Sequence, residues 1–515
     1  MVPGSGPRLR RWLALALAIA LAGAASIALR QDSSWDLQNY HYYNAWAFVH
    51  RRFGLDWAPA QLQSFYSPFL DLPFYALVAA DAPARLIAFL PAVPTGIAWY
   101  FFARIAFRMF ETLPDPARRA AVLSAIAIGV TAPMSVSLIG TTMNDWYTAA
   151  FVMAALWLVV RGPPAEPSLR ALAAAGALVG LGAGLKLTGS IYCVGLLAGV
   201  VAMRASLRSI AAVVAGMGLG FTLTAGPWMA LMVERYGNPL FPYYNDLFRS
   251  PWADPVTFSA TRFGPSSLAE WLAFPFVLLW KLAGYVSEPE FRDARPALLY
   301  VLAIVSLAAW LRRGARPEPR THWRFLGAFF VASFVAWAFM YRIFRYLVPL
   351  ELLTGVFIAR FVVRIVPARR VGWALAAAVA LVIVTSKYPT WWRQKFEDRF
   401  LTVSMPPVKP GALVLLVAPE PLSYVLPSFP QDARFAGLVS NFNDPGRHNL
   451  LQDTIAAAIR DQAGPLYALA VPPGRDVGAE ALARMGLARA SCSQIRTNLR
   501  VSPLELCELR RVGRD

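Results

Sequence analysis

Long apolar blocks, separated by short stretches rich in arginine or in aromatic and polar residues, run through the first three quarters of this chain. Crossing the hydrocarbon of a bilayer takes about 20 mostly apolar residues, fewer where flanking arginines snorkel to the interface. That rule predicts eleven helical spans, near 12–29, 86–106, 120–140, 147–160, 171–185, 189–203, 210–232, 296–311, 325–341, 347–363 and 371–386. Two further apolar stretches, 69–80 and 271–285, are short or interrupted by charge and read as interfacial or re-entrant segments. Past residue 386 the pattern changes: 412–417 reads as a buried strand, 449–461 as a helix and 466–471 as another strand, the alternation of a small α/β domain.

The expected fold is therefore mainly α, a polytopic transmembrane helical bundle with a small extracytoplasmic α/β C-terminal domain. Its parts are an inner N-terminus and first transmembrane helix (1–29), a first extracytoplasmic loop with interfacial helices (30–85), the bundle (86–386, with an outer loop at 233–295) and the C-terminal domain (387–515).

Composition supports hydrocarbon as the solvent. Apolar residues are 57% of the 515 and charged residues only 15%, where soluble domains average about a quarter charged. The net charge of +19 does not point to nucleic acid, because no basic stripe with interleaved aromatics is present. The arginines instead flank the spans, as at Arg8, Arg10, Arg11, Arg104, Arg108, Arg118, Arg119, Arg312, Arg313, Arg369 and Arg370. By the positive-inside rule these loops face the cytoplasm, which puts 30–85 and 387–515 outside a bacterial cell membrane. Segment 13–29 also fits a signal peptide, and with either reading the chain from residue 30 starts outside. Of three cysteines, Cys193 lies in a span; Cys492 and Cys507 lie in the tail, where they either pair in an oxidising compartment or remain free thiols.

The candidate chemistry gathers at the outer ends of the spans. Trp35-Asp36-Leu37-Gln38-Asn39-Tyr40-His41-Tyr42-Tyr43-Asn44 comes after the first span, so Asp36 falls near the lipid headgroups among groups that desolvate a carboxylate and suit it to proton transfer. The bland alternative is an aromatic belt with a helix-capping aspartate. Polar groups recur on the same side: Asn144-Asp145 after the third span, Lys186 within Gly184-Leu185-Lys186-Leu187-Thr188, and Arg342, Arg345 and Tyr346 ahead of the tenth. Ionisable groups at membrane depth are costly and usually face a cavity or a partner. Lys186 reads equally as a lysine reaching water, and the arginine pair equally as interfacial snorkelling or as a fork for phosphate oxygens. No phosphate-binding glycine loop, nucleophile elbow or metal-ligand spacing is visible.

With Asp36 in the first outer loop, Asn144-Asp145, Gly184-Leu185-Lys186-Leu187-Thr188 and Arg345-Tyr346, residues 1–386 resemble the C-type (GT-C) membrane glycosyltransferases, a superfamily that includes protein O-mannosyltransferases and aminoarabinose transferases. The resemblance implies transfer of a hexose or pentose, with inversion, from a polyprenyl-phosphate-type lipid to a glycan, lipid or protein acceptor outside the cell. It assigns Asp36 as general base and Asp145 to orienting acceptor or sugar. Lys186, Arg342 and Arg345 then neutralise the leaving phosphate, and Asn39, Tyr40, His41 and Tyr346 bind substrate. Many members carry paired acids in the first loop; here Asp32 and Asp36 stand four apart. No cofactor is required by any motif, and a divalent metal held by a carboxylate pair stays open. The competing readings are a multi-span transporter or lipid flippase, which would place its charges near the midplane, and a non-catalytic assembly protein.

Overall fold

Helices stand at every position where an apolar block predicts a span. The computed structural model describes residues 7–162, 167–258, 263–280, 282–313, 321–443, 445–472 and 477–512. Helix α1 (Pro7–Ala28) leads into the first loop, which holds α2 (Tyr42–Val49) and α3 (Leu72–Ala79). The bundle continues through α4 (Ala84–Phe89), α5 (Val93–Met109), α6 (Ala117–Val130), α7 (Pro133–Ser137), α8 (Asp145–Val160), α9 (Leu169–Leu185), α10 (Ser190–Ala202) and α11 (Leu207–Tyr236). After α12 (Asn245–Phe248) and α13 (Leu268–Val277) come α14 (Arg295–Arg313), α15 (Thr321–Met340), α16 (Val348–Ile365) and α17 (Val371–Thr385).

Among the described residues seven helices are long and apolar enough to cross a membrane, and α8, α9 and α10 are apolar but shorter. The block at 120–140 is not one helix. Pro133 forces Ala132 into extended backbone (ψ 130°), so α6 stops at Val130 and a separate turn comes after it. The stretches at 69–80 and 271–285 hold only α3 and α13, of 8 and 10 residues, too short to span.

Glycine brings α9 and α11 into backbone contact. A Cβ at Gly176 would stand 2.2 Å from the carbonyl oxygen of Val213, one at Gly180 2.2 Å from that of Met217, and one at Gly220 2.2 Å from that of Ala177. Small residues at four-residue spacing allow this approach in lipid, where packing rather than water drives association. Ser168 caps the start of α9 by accepting from the Ala171 amide at 3.3 Å, and the helix ends at Leu185, which fixes the position of Lys186. Overpacking costs about 1–3 kcal/mol even where side chains can yield, and here the obstacle is main chain. Gly180→Leu is therefore expected to lower the thermal midpoint of the solubilised protein and its yield; an unchanged midpoint would rule out the seam.

The C-terminal sheet has strand order β1-β5-β6-β4-β2-β3, comprising β1 (Val403–Ser404), β2 (Leu413–Val417), β3 (Arg434–Val439), β4 (Leu466–Ala470), β5 (Leu487–Thr497) and β6 (Leu504–Arg511). β2 lies parallel to both β3 and β4, and β6 runs antiparallel to β4 and β5. β2 and β4 are buried along their whole length, as parallel strands covered on both faces must be. Leu413, Leu415 and Ala468 face Leu451, Ile455 and Ile459 of α18 (Leu450–Asp461) and Leu482 of α19 (Val477–Arg484). The opposite face, Val414, Leu416, Tyr467 and Leu469, belongs to one core with Leu37, Tyr40, Tyr43 and Phe74 of the first loop, which meets the tail at the turn Ser423–Ser428. Trp57 of that loop also adds to the edge of β3: its amide donates to the Phe435 carbonyl and its carbonyl accepts from the Gly437 amide, both at 2.8 Å. Loop and tail thus share one core. Cys492 and Cys507 pair as a disulfide between β5 and β6, and Cys193 is free.

Candidate active site

The Asp36 run does not enter an ordinary helix. Leu37–His41 forms a π-helical turn with Asp36 at its head, a widened geometry frequent at functional sites. Two polar groups near it are structural ties. Asp32 turns away from Asp36: its carboxylate accepts from the Ser34 amide at 2.9 Å and from the Thr142 amide and hydroxyl at 2.8 and 2.9 Å. That fastens the loop between α7 and α8. Asn39 likewise faces the 58–66 segment, donating to the Ala60 carbonyl and to Gln63 at 3.3 and 3.1 Å.

The structure brings Asp36, Arg345, Tyr346, Lys186 and Asp145 together from four places in the chain. Arg345 Nη1 donates to Asp36 Oδ2 at 2.6 Å, and the Tyr40 hydroxyl reaches the same oxygen at 3.4 Å. Lys186 Nζ donates to Asp145 Oδ1 and to the Met143 carbonyl, each at 2.5 Å. Asn144, in the left-handed region at φ 65°, makes the sharp entry into α8 that sets Asp145 opposite the end of α9. Between the two ion pairs lies the ring of Tyr346, with Lys186 Nζ and the Arg345 guanidinium each 5.4 Å from its centroid, close enough for both cations to interact with its face. Trp391, leading into the tail, closes over Arg345 at 6.0 Å and donates its indole N–H to Ser137 at 2.9 Å.

Burial alone would push the Asp36 carboxyl up, but the nearby charges of Arg345 and Lys186, with the Arg345 hydrogen bond, hold it net below the ordinary carboxylate value. It is therefore ionised and committed to Arg345 in this state. Four buried atoms in this neighbourhood have no protein partner: Asp145 Oδ2, Arg345 Nε, His41 Nε2 and Glu288 Oε2. Buried polar atoms are normally satisfied, so their clustering marks a place built to receive a polar ligand.

Arg342 stands apart from the group. Its guanidinium donates to the carbonyls of Ala338 and Pro265 at 2.9 and 3.4 Å, 5.9 Å from the Trp271 ring. Two acids absent from the sequence-based expectation join the site. Asp71 receives His41 Nδ1 at 2.9 Å and Asn144 Nδ2 at 2.8 Å, and Glu288 lies within electrostatic range of Arg345 and Tyr346. A signal for Asp71 existed: a lone carboxylate in Phe69-Leu70-Asp71-Leu72 needs a partner once buried. Among the described residues no group of three or more His, Cys, Asp or Glu side chains is placed to hold a metal ion.

A family model, glycosyltransferase family 87, matches residues 65–340, more than half of the chain. The match takes in Asp71, Asn144, Asp145 and Lys186 and leaves Asp36 and Arg345 on either side. Among solved structures, the arabinofuranosyltransferase AftD from Mycobacteria is similar with a TM-score of 0.52 and 15% identity, over 98% of this chain and 40% of that one. ArnT from Cupriavidus metallidurans, bound to undecaprenyl phosphate, gives a TM-score of 0.49 and 13% identity over 99% of this chain and 100% of that one. An Archaeoglobus fulgidus oligosaccharyltransferase gives 0.44 and 11%, over 89% and 69%. No curated protein sequence matches the chain.

Proposed function

The chain belongs to glycosyltransferase family 87 and is an integral membrane glycosyltransferase of the GT-C type; on that premise we propose that it moves a sugar from a polyprenyl-phosphate-type lipid to an acceptor outside the cell, with Asp36 as general base. The observation that carries the reading is the meeting of two carboxylate–cation pairs around Tyr346. Transfer from a lipid phosphate needs a base for the acceptor hydroxyl and fixed positive charge for the departing phosphate. Asp36 supplies the first; Arg345 and Lys186 supply the second. Asp145 holds Lys186 in place, and its unpartnered Oδ2 is free to accept a sugar or acceptor hydroxyl.

The pairs also explain how a carboxylate held at low pKa becomes a useful base. An arriving phosphate competes for Arg345 and Lys186, which weakens their hold on Asp36, and the remaining burial then raises its proton affinity. Base strength is thus coupled to donor binding. The acceptor oxygen attacks the anomeric carbon while the bond to the phosphate oxygen breaks, a single displacement that inverts the centre. The outward orientation is supported by the arginine-rich loops on the other side and by the Cys492–Cys507 disulfide, which belongs in an oxidising compartment.

Purified protein in liposomes, offered a polyprenyl-phosphate sugar or the corresponding nucleotide sugar, is expected to use only the lipid. Lys186→Met is expected to lower transfer at least tenfold. Transfer from the nucleotide sugar with none from the lipid would refute the donor assignment.

A further inference from the structure

Asp36 is buried, so a proton it takes from an acceptor needs somewhere to go. Next to it stands a second group that the base assignment leaves idle. His41 and Asp71 are each only 4% exposed, with His41 Nδ1 2.9 Å from both carboxylate oxygens of Asp71. Asn144 Nδ2 donates to the same carboxylate at 2.8 Å. An ionised Asp71 only accepts, so the His41 proton sits on Nδ1, and the Nε2 lone pair on the far edge of the ring is left open. Nε2 is buried and has no protein partner, and the ring stands five residues, about one π-helical turn, on from Asp36.

We propose that His41, held by Asp71, is a proton relay that takes the acceptor proton on from Asp36. The inference rests on Asp36 being the base. In the step, the acceptor O–H bond breaks as the new C–O bond forms, and the proton lands on the Asp36 carboxylate. The sugar–phosphate bond breaks with its electron pair staying on the phosphate oxygen. The proton then passes from Asp36 to His41 Nε2, leaving Asp36 ionised again and His41 as an imidazolium paired with Asp71. Asp71 is a positioning residue, fixing the ring and its tautomer as the buried aspartate does in a catalytic triad. The groups facing the ring are Asp36 and Tyr40 from its own turn, Asp71 from the segment before α3, and Asn144 at the head of α8. Tyr147 of α8 lies beyond Asp71, and Arg345 and Lys186 lie beyond Asp36.

The test is the pH profile of transfer by the full-length protein in liposomes, for wild type, His41→Gln, Asp71→Asn and Asp71→Glu, with thermal midpoints as a check on folding. The wild-type rate is expected to fall on the acid side, where an imidazolium no longer accepts a proton at Nε2. His41→Gln is expected to lower kcat about 10²-fold or more, with little change in donor KM, and to lose that acid limb. Asp71→Asn presents an amide N–H to Nδ1 and so moves the proton to Nε2; it is expected to behave like His41→Gln, and Asp71→Glu to recover part of the rate. Should the histidine variant fail to fold, the same comparison between Asp71→Asn and Asp71→Glu decides. A folded His41→Gln or Asp71→Asn enzyme with the wild-type profile and kcat would overturn the relay while leaving the base assignment intact. Full activity of Asp36→Asn would instead remove the base assignment itself.

Discussion

Asp36→Asn is expected to lower sugar transfer by two to four orders of magnitude, the range typical of losing a general base, while the protein stays folded. Asparagine keeps the shape of the side chain and accepts a hydrogen bond from Arg345 through its carbonyl oxygen, so the pocket survives. What disappears is the carboxylate bonded to Arg345, and with it the group that takes the acceptor proton. Loss of rate should fall on kcat, because the donor's phosphate contacts are untouched. The measurement is a steady-state transfer assay beside a thermal melt; wild-type kcat in the folded variant would show that the proton goes elsewhere.

Deleting residues 390–515 is expected to abolish transfer and to leave a protein that does not purify as a single species. The tail does not hang from the bundle. It shares one core with Leu37, Tyr40, Tyr43 and Phe74 of the loop that carries Asp36. Arg52 adds donations to the Gln431 and Ala433 carbonyls at 3.0 and 2.5 Å. Arg393 holds the carbonyls of Arg30, Ser137 and Ile139 at 2.8, 2.9 and 2.6 Å, and Trp391 covers Arg345. Each large apolar side chain re-exposed costs about 1.5–3 kcal/mol, so a few of them match the roughly 5–15 kcal/mol of a typical fold. A truncated chain that transfers sugar at the full rate would show that the shared core has no part in shaping the site.

Much of the bundle was legible, because apolar blocks of spanning length leave few other solutions and because arginine marks their ends. Lys186 was legible for the same reason, as a cation interrupting an apolar stretch. The break at Ala132–Pro133 was less so: a proline inside an apolar block reads as a kink until the extended residue before it is seen. In the tail, β2, α18 and β4 emerge from their apolar pattern. β3 does not, since Arg-Phe-Ala-Gly-Leu-Val opens on a charge and carries Ala and Gly at its centre, so it is weak in strand formers. Nor does β5, whose mostly exposed residues show no alternation.

At the site, the sequence points to residues by type but not by partner. Arg342 and Arg345 read as one fork, yet Arg342, with φ 58°, turns to Pro265 while Arg345 turns to Asp36. Asn39 and His41 read as equivalent polar neighbours of Asp36, yet the π-helical turn sends Asn39 toward Gln63 and His41 toward Asp71. Such assignments depend on pairs far apart in the chain, which local pattern does not encode.

Competition between Asp36 and the donor phosphate is tested most directly by the affinity of polyprenyl phosphate itself for wild type, Asp36→Asn and Arg345→Gln. If Asp36 and the phosphate compete for one guanidinium, the asparagine variant binds at least as tightly as wild type although it no longer transfers sugar, and the glutamine variant binds at least tenfold more weakly. Loss of binding in Asp36→Asn together with unchanged binding in Arg345→Gln would contradict the account.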